Sequence, residues 1–174
     1  MQKYTEISKT INNYLDFLNI VNNIDLNKVV VIDDDINGEK TIVFLKKARK
    51  LAYRLNSNHP SSLGIHPIIY CYSRDGRHRT VSFFALVDFV MELEKRTKIN
   101  EFIDTREKFE DFLLSYDYLI KQIYEKSRDI QKSYKIISYF LQEAITHLKN
   151  GKSNHDTARE IASTDKFKYL TVGE

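Results

Sequence analysis

The sequence predicts a mainly α fold (α+β): a multi-helix bundle with one short strand pair near a central irregular loop. Three observations carry this. Apolar residues recur at helical spacing through most of the 174 residues. Only two short segments, 29–32 and 68–72, are β-prone. Both prolines, Pro60 and Pro67, and two of the five glycines, Gly64 and Gly76, fall between residues 59 and 76, which marks one long irregular stretch.

The first helix is expected over residues 2–22, where Tyr4, Ile7, Ile11, Tyr14, Leu15, Leu18 and Val21 share a face and Asn22-Asn23 stops it. VVVI, residues 29–32, reads as a strand running into Asp33, Asp34 and Asp35. A second helix starts near Thr41, with Phe44, Ala48, Leu51 and Leu55 inward and Lys46, Lys50 and Arg54 opposite. DINGEK, just before it, could instead turn a hairpin. PIIYCYS alternates as a strand, Ile68, Tyr70 and Tyr72 on one face and Ile69 and Cys71 on the other, and should pair with 29–32. From Thr80, TVSFFALVDFVMELEKR is apolar on nearly all sides, so it should be a central buried helix whose Asp88 needs a partner. Phe109, Phe112, Leu113, Tyr116, Leu119, Ile120 and Ile123 define a further helix, and Ile130 to Leu148 another, closed by Asn150-Gly151. A short helix follows near 154–162. With no repeat, low-complexity tract or linker, a single domain over 1–174 is expected.

Composition narrows the class. Hydrophobic residues make up 42% and charged residues 29%, ordinary for a globular protein. No apolar run approaches the ~20 residues of a membrane span, and MQKYTEISKT lacks the apolar core of a signal peptide. A cytoplasmic protein without a membrane partner is expected. One cysteine, Cys71, excludes an internal disulfide and a cysteine-built zinc site.

Charge is the informative quantity. Between residues 46 and 79 stand Lys46, Lys47, Arg49, Lys50, Arg54, Arg74, Arg77 and Arg79, with Asp75 the one acid, so this window carries +7 of a net +3 and leaves −4 for the rest. Such concentration suggests a polyanionic partner, a nucleic acid (DNA or RNA) or a nucleotide. Within the window, SRDGRHRT joins a strand to a buried helix. Free N–H groups at the helix start, a tight turn at Gly76, and the donors of Arg74, Arg77, His78 and Arg79 together suit phosphate. The competing reading is a turn whose arginines pair with acids such as Asp75 or Asp88. His66, Tyr70 and Tyr72 join the binding set, the tyrosines as possible stacking surfaces.

Other patterns carry less. Asp33 to Gly38 opens like a calcium loop, but Phe44 stands where the bidentate glutamate belongs, so a plain acidic cap or loop is the better reading, with a magnesium site at Asp33 to Asp35 as the alternative, and no metal ligand is assigned. Arg54 and His59 have the R-x4-H spacing of some small helical ribonucleases, a spacing frequent by chance. No general-base constellation is evident and no cofactor is implied, so no catalytic residue is assigned. The alternative is a small phosphodiesterase or nucleotide-processing enzyme using His66, His78 and nearby arginines.

LAYRLNSNHPSSLGIHPIIYCYSRDGRH, the buried helix after it, and EFIDTREKFEDFLLSYDYLIKQI resemble a region of bacterial proteins that carry a ParB-like DGQQR domain, a group that includes GmrSD-type restriction factors. The similar core there is S-S-L-G-x-H-P-x-x-Y-x-Y-S, matching Ser61 to Ser73, and the similarity runs from about residue 40 to 170, through LKNGKSNHD. The resemblance implies the C-terminal region of a phage-defence or restriction protein, with a ParB-like defence protein as a possible partner. DGRHR also resembles the ParB-like nucleotide motif, but the multi-strand fold that motif requires is not legible in so helical a sequence, and nucleotide hydrolysis is not carried over. The expected function is a non-catalytic nucleic-acid- or partner-binding module.

Overall fold

A computed structural model describes residues 2–26, 34–56 and 58–173, with side chains from residue 10 onward. Among these residues the chain is helical: α1 (Gln2–Val21), α2 (Glu39–Leu55), α3 (Pro67–Cys71), α4 (Thr80–Lys95), α5 (Ile99–Ser115), α6 (Asp117–Ser127), α7 (Ile130–Lys149) and α8 (Asn154–Ser163). It divides into two compact units, Met1–Ile65 and His66–Glu174, described in turn.

In the first unit α1 packs on α2. Phe17, Ile20, Val21, Ala48 and Leu51 are buried. Asn22 closes α1 as expected and then does more: its side-chain amide donates to the carbonyls of Leu18 (2.9 Å) and Phe44 (3.3 Å), tying the two helices. The α2 helix begins two residues earlier than expected, after Gly38 in the left-handed region (φ 68°). Asp35 supplies the cap, its carboxylate accepting from the N–H groups of Thr41 (2.7 Å) and Lys40 (3.4 Å). The acidic run is therefore a helix cap at Asp35, and the hairpin alternative for DINGEK is displaced by that cap. Asp33 and the strand expected over 29–32 lie outside the described residues.

The second unit is built on α4, as its composition requires. Phe84, Ala85, Leu86, Val87, Phe89 and Val90 are all buried, and α4 packs along α7, with α3 and α5 also against it. Phe89, Phe102 and Phe109 form a three-ring cluster with centroids 5.7 to 6.1 Å apart. Asp88 finds the partner it needs in the Ser138 hydroxyl of α7. The helix expected through Tyr116 is two helices. Tyr116 leaves helical geometry (φ −116°, ψ 24°), and Asp117 sits in the first turn of α6. Residues 165–173 fold back over the unit. Phe167 is fully buried beside Tyr139 and Phe140. The Gln122 amide brackets Thr171, donating to its carbonyl (3.1 Å) and accepting from its N–H (2.8 Å).

The strand expected over 68–72 is corrected: residues 67–71 form α3. Pro67 stands at its first position, where a missing N–H costs nothing and a φ near −65° already suits a helix. Tyr70 and Cys71, adjacent in sequence, are both buried while Ile68 is 65% exposed, a distribution that strand alternation cannot produce. Among the described residues the β character is one antiparallel bridge, Tyr72 to His78, that closes the following turn.

Candidate nucleic-acid interface

The turn after α3 is built by its own backbone. Beside the Tyr72–His78 bridge, the Ser73 N–H donates to the Arg77 carbonyl (2.9 Å) and Arg79 N–H to the Cys71 carbonyl (2.8 Å). Gly76, at φ 71°, makes the reversal, a conformation that costs a residue with a Cβ. This small hairpin throws its arginines in different directions.

Two of them are used internally. Arg74 Nη2 donates to the carbonyls of Leu114 (2.8 Å) and Ser115 (3.0 Å), capping the end of α5. Arg79 Nη2 donates to the Tyr72 carbonyl (3.0 Å) and to Asp117 Oδ1 (2.5 Å) at the start of α6. Its Nε is buried without a hydrogen-bond partner. The expectation that Arg74, Arg77, His78 and Arg79 act together on phosphate thus changes. Arg77 and His78 are exposed, whereas Arg79 is a half-buried ion-pair partner, and the acid it meets is Asp117 rather than Asp75 or Asp88. The α4 helix also starts in the core, with Val81 and Ser82 buried.

The tyrosines separate in the same way. Tyr70 is buried, and its hydroxyl donates to Glu110 (2.9 Å), which also holds Arg106 (2.8 Å). Burial, and then the Glu110 charge, raise the Tyr70 hydroxyl far above the usual phenol range. It is a core hydrogen-bonder. Tyr72 is half-buried and meets the His78 ring edge-on at 5.3 Å. Cys71 is buried, and that burial pushes its thiol up to about 11, away from nucleophilic use. His66 is exposed just before α3 and makes no capping hydrogen bond.

The R-x4-H pair serves a local turn. Arg54 Nη1 donates to the Ser61 carbonyl (3.1 Å), while the His59 ring lies flat on Tyr53 at 3.9 Å and its Nδ1 engages Ser61 Oγ (2.7 Å).

The α2 helix carries an exposed cationic face. Its buried stripe includes Ala48 and Leu51, and Lys46, Lys47, Arg49 and Lys50 are exposed, as is Lys40. Glu39 is the only acid in the helix. Ile42, Val43 and Leu45, each about half exposed, lie among these cations. Of the expected binding residues, then, Lys46 and Lys50 share α2, with Lys50 exposed but engaged in an interaction of its own, and Arg77 and His78 share the turn. Arg54, Tyr70, Arg74 and Arg79 also have structural partners. The residues that sequence reasoning missed are those partners: Glu110, Asp117 and the last carbonyls of α5. Only the Asp117 position carried a signal, an acid opening a helical turn after Ser115-Tyr116.

Among the described residues no group of three or more His, Cys, Asp or Glu side chains converges as a metal site, and no helix is long and apolar enough to cross a membrane. Comparison with protein-family models, curated proteins and solved structures returned no match.

Proposed function

We propose that this protein is a non-catalytic module that binds nucleic acid through the cationic face of α2. The single observation that supports this is the exposure of Lys46, Lys47, Arg49 and Lys50 on one rigid helix with Glu39 as its only acid. A helix holds such charges at fixed spacing, so phosphates can be neutralised without ordering a loop. Arg77 and His78, exposed on the hairpin of the second unit, are a second and smaller contact. The similarity of residues 61–73 to ParB-like, GmrSD-related proteins supports a setting in the cytoplasm as part of a bacterial defence system, with a ParB-like protein as a working partner.

Fluorescence anisotropy with labelled duplex and single-stranded DNA and RNA, over a series of salt concentrations, tests the reading. Four phosphate contacts on duplex DNA give a slope of log K against log salt of about −3.6. Absence of binding to all four probes, or binding indifferent to salt, sinks it.

A further inference from the structure

Arg79 meets Asp117 with only part of its donor set. Nε and Nη2 are the two parallel donors of one guanidinium edge, the edge that grips two oxygens of an oxoanion at once. Here Nη2 alone is engaged, by Asp117 Oδ1 (2.5 Å) and the Tyr72 carbonyl (3.0 Å), while Nε is buried without a partner. A second orphan stands one helical turn on. Ser82 is 3% exposed, and its hydroxyl has no hydrogen-bond partner. It is the third residue of α4, and a side chain at that position leans back toward the helix start and Arg79. No side chain caps α4, and none caps α6, whose first residue is Asp117. One guanidinium, one hydroxyl and the positive ends of two helices thus lie at one junction, where the acid in contact is Asp117.

We propose that this junction is an oxoanion site for a phosphate monoester, held shut by Asp117 as an internal competitor. Shape and charge select the ligand. A carboxylate offers its oxygens in one plane. A phosphate offers three in a tetrahedron, enough for Nε, Nη2 and the Ser82 hydroxyl together, and carries about −1.5 to −2 at neutral pH where a carboxylate carries one charge. Access selects the monoester. The Arg79 and Asp117 side chains are 16% and 15% exposed, so a protruding terminal group enters while a phosphodiester inside a duplex stays at the surface. Arg77 and His78, exposed on the same hairpin, remain to meet the chain that carries the group. A nucleic-acid end is the expected source, a step that rests on the proposed function; the site itself does not. When phosphate takes Arg79, Asp117 turns out to water and the link between the hairpin and α6 is released.

Thermal melts of the full chain over an inorganic phosphate series, with chloride holding the ionic strength constant, test the site. Asp117→Asn removes the competing charge and keeps the side-chain shape. Its melting temperature is expected to rise with phosphate by several degrees more than that of wild type. Arg79→Lys/Asp117→Asn, which keeps a cation but lacks the fork, is expected to show no such excess. An excess absent from Asp117→Asn, or as large in the double variant, overturns the proposal. Should Asp117→Asn fail to fold, the Arg79 Nε–H resonance of wild type, followed by NMR in the same series, serves: a saturating shift is expected, and no shift overturns it. Single strands of one sequence, ending in a 5′-phosphate or a 5′-hydroxyl, then identify the source by anisotropy. Asp117→Asn is expected to bind the phosphorylated strand about tenfold tighter. Equal affinity with the phosphate response intact overturns the nucleic-acid end and assigns the site to a free phosphate ester. Loss of binding to both strands with that response intact supports the site and sinks the reading of α2.

Discussion

Arg79 donates to Asp117 across 2.5 Å, linking the last residue before α4 to the first turn of α6. Arg74, five residues earlier, holds the final carbonyls of α5. The two arginines thus grip opposite sides of the break at Tyr116. The cationic hairpin that the sequence marks so clearly is in large part a splice between two helices.

This splice makes Asp117 a stability residue. The two side chains are 16% and 15% exposed, so removing the acid leaves a charge that water reaches poorly. Asp117→Ala is expected to cost about 2 kcal/mol, below the ~3–5 of a fully buried pair because of that residual access. Arg79→Ala should cost a similar amount, and the double variant less than their sum. Urea denaturation of the four proteins measures the coupling; strict additivity would show that the pair contributes nothing.

Binding should follow a different map. Arg77→Ala is expected to alter stability by no more than ~0.5 kcal/mol, being exposed, and to weaken nucleic-acid binding modestly. Lys46→Glu/Lys50→Glu removes two contacts from the main face, so its salt slope should be shallower by about 1.8. Equal slopes for wild type and the α2 variant, read by anisotropy, would move the interface elsewhere.

What could be read from the sequence was what a single helix dictates by itself. Thr80 to Lys95 announced its burial because no face was polar, and Asn22 and Gly151 stand at or beside helix ends. The failures were tertiary. The β-prone letters of PIIYC were overruled by Pro67 at a helix start and by the burial of Tyr70 and Cys71 together. A composition of Arg, Gly and His cannot distinguish an anion receptor from a clamp, since the distinguishing partners, Leu114, Ser115 and Asp117, lie about 40 residues away. The α2 face was legible because its cations oppose the buried stripe on the same helix.

Asp88 supplies a pH test. Burial raises its carboxyl above the ordinary 3.8, opposed by the Ser138 hydrogen bond and reinforced by Glu92, with Lys135 and Lys95 nearby. A raised value means the folded state holds the proton more firmly than the unfolded chain. Stability from this group is therefore full below the unfolded value and is lost as pH rises through the folded one. Asp88→Asn should be more stable than wild type at neutral pH, with the advantage shrinking toward pH 3.8. Thermal melts of both proteins across that range decide it; an advantage that does not vary with pH would place the cause outside the charge.

Phe167→Ala should cost about 3–5 kcal/mol, the range for deleting a buried phenyl ring. The ring has no exposed surface and meets Tyr139 and Phe140 within 6.0 Å. A urea midpoint unchanged by the substitution would mean that residues 165–170 do not hold the unit together.

The return of that segment has a bearing on how the protein is made. Chains emerge from synthesis N-terminus first and fold as units become complete. Here the hydrogen bonds from Gln122 reach Thr171, 49 residues onward. Until residues 165–171 have been added, the nascent second unit lacks the ring that fills the site beside Phe140 and the strap that lies on α6. It must wait with aromatic surface open, at the stage when a nascent chain is most exposed to chaperones and proteases.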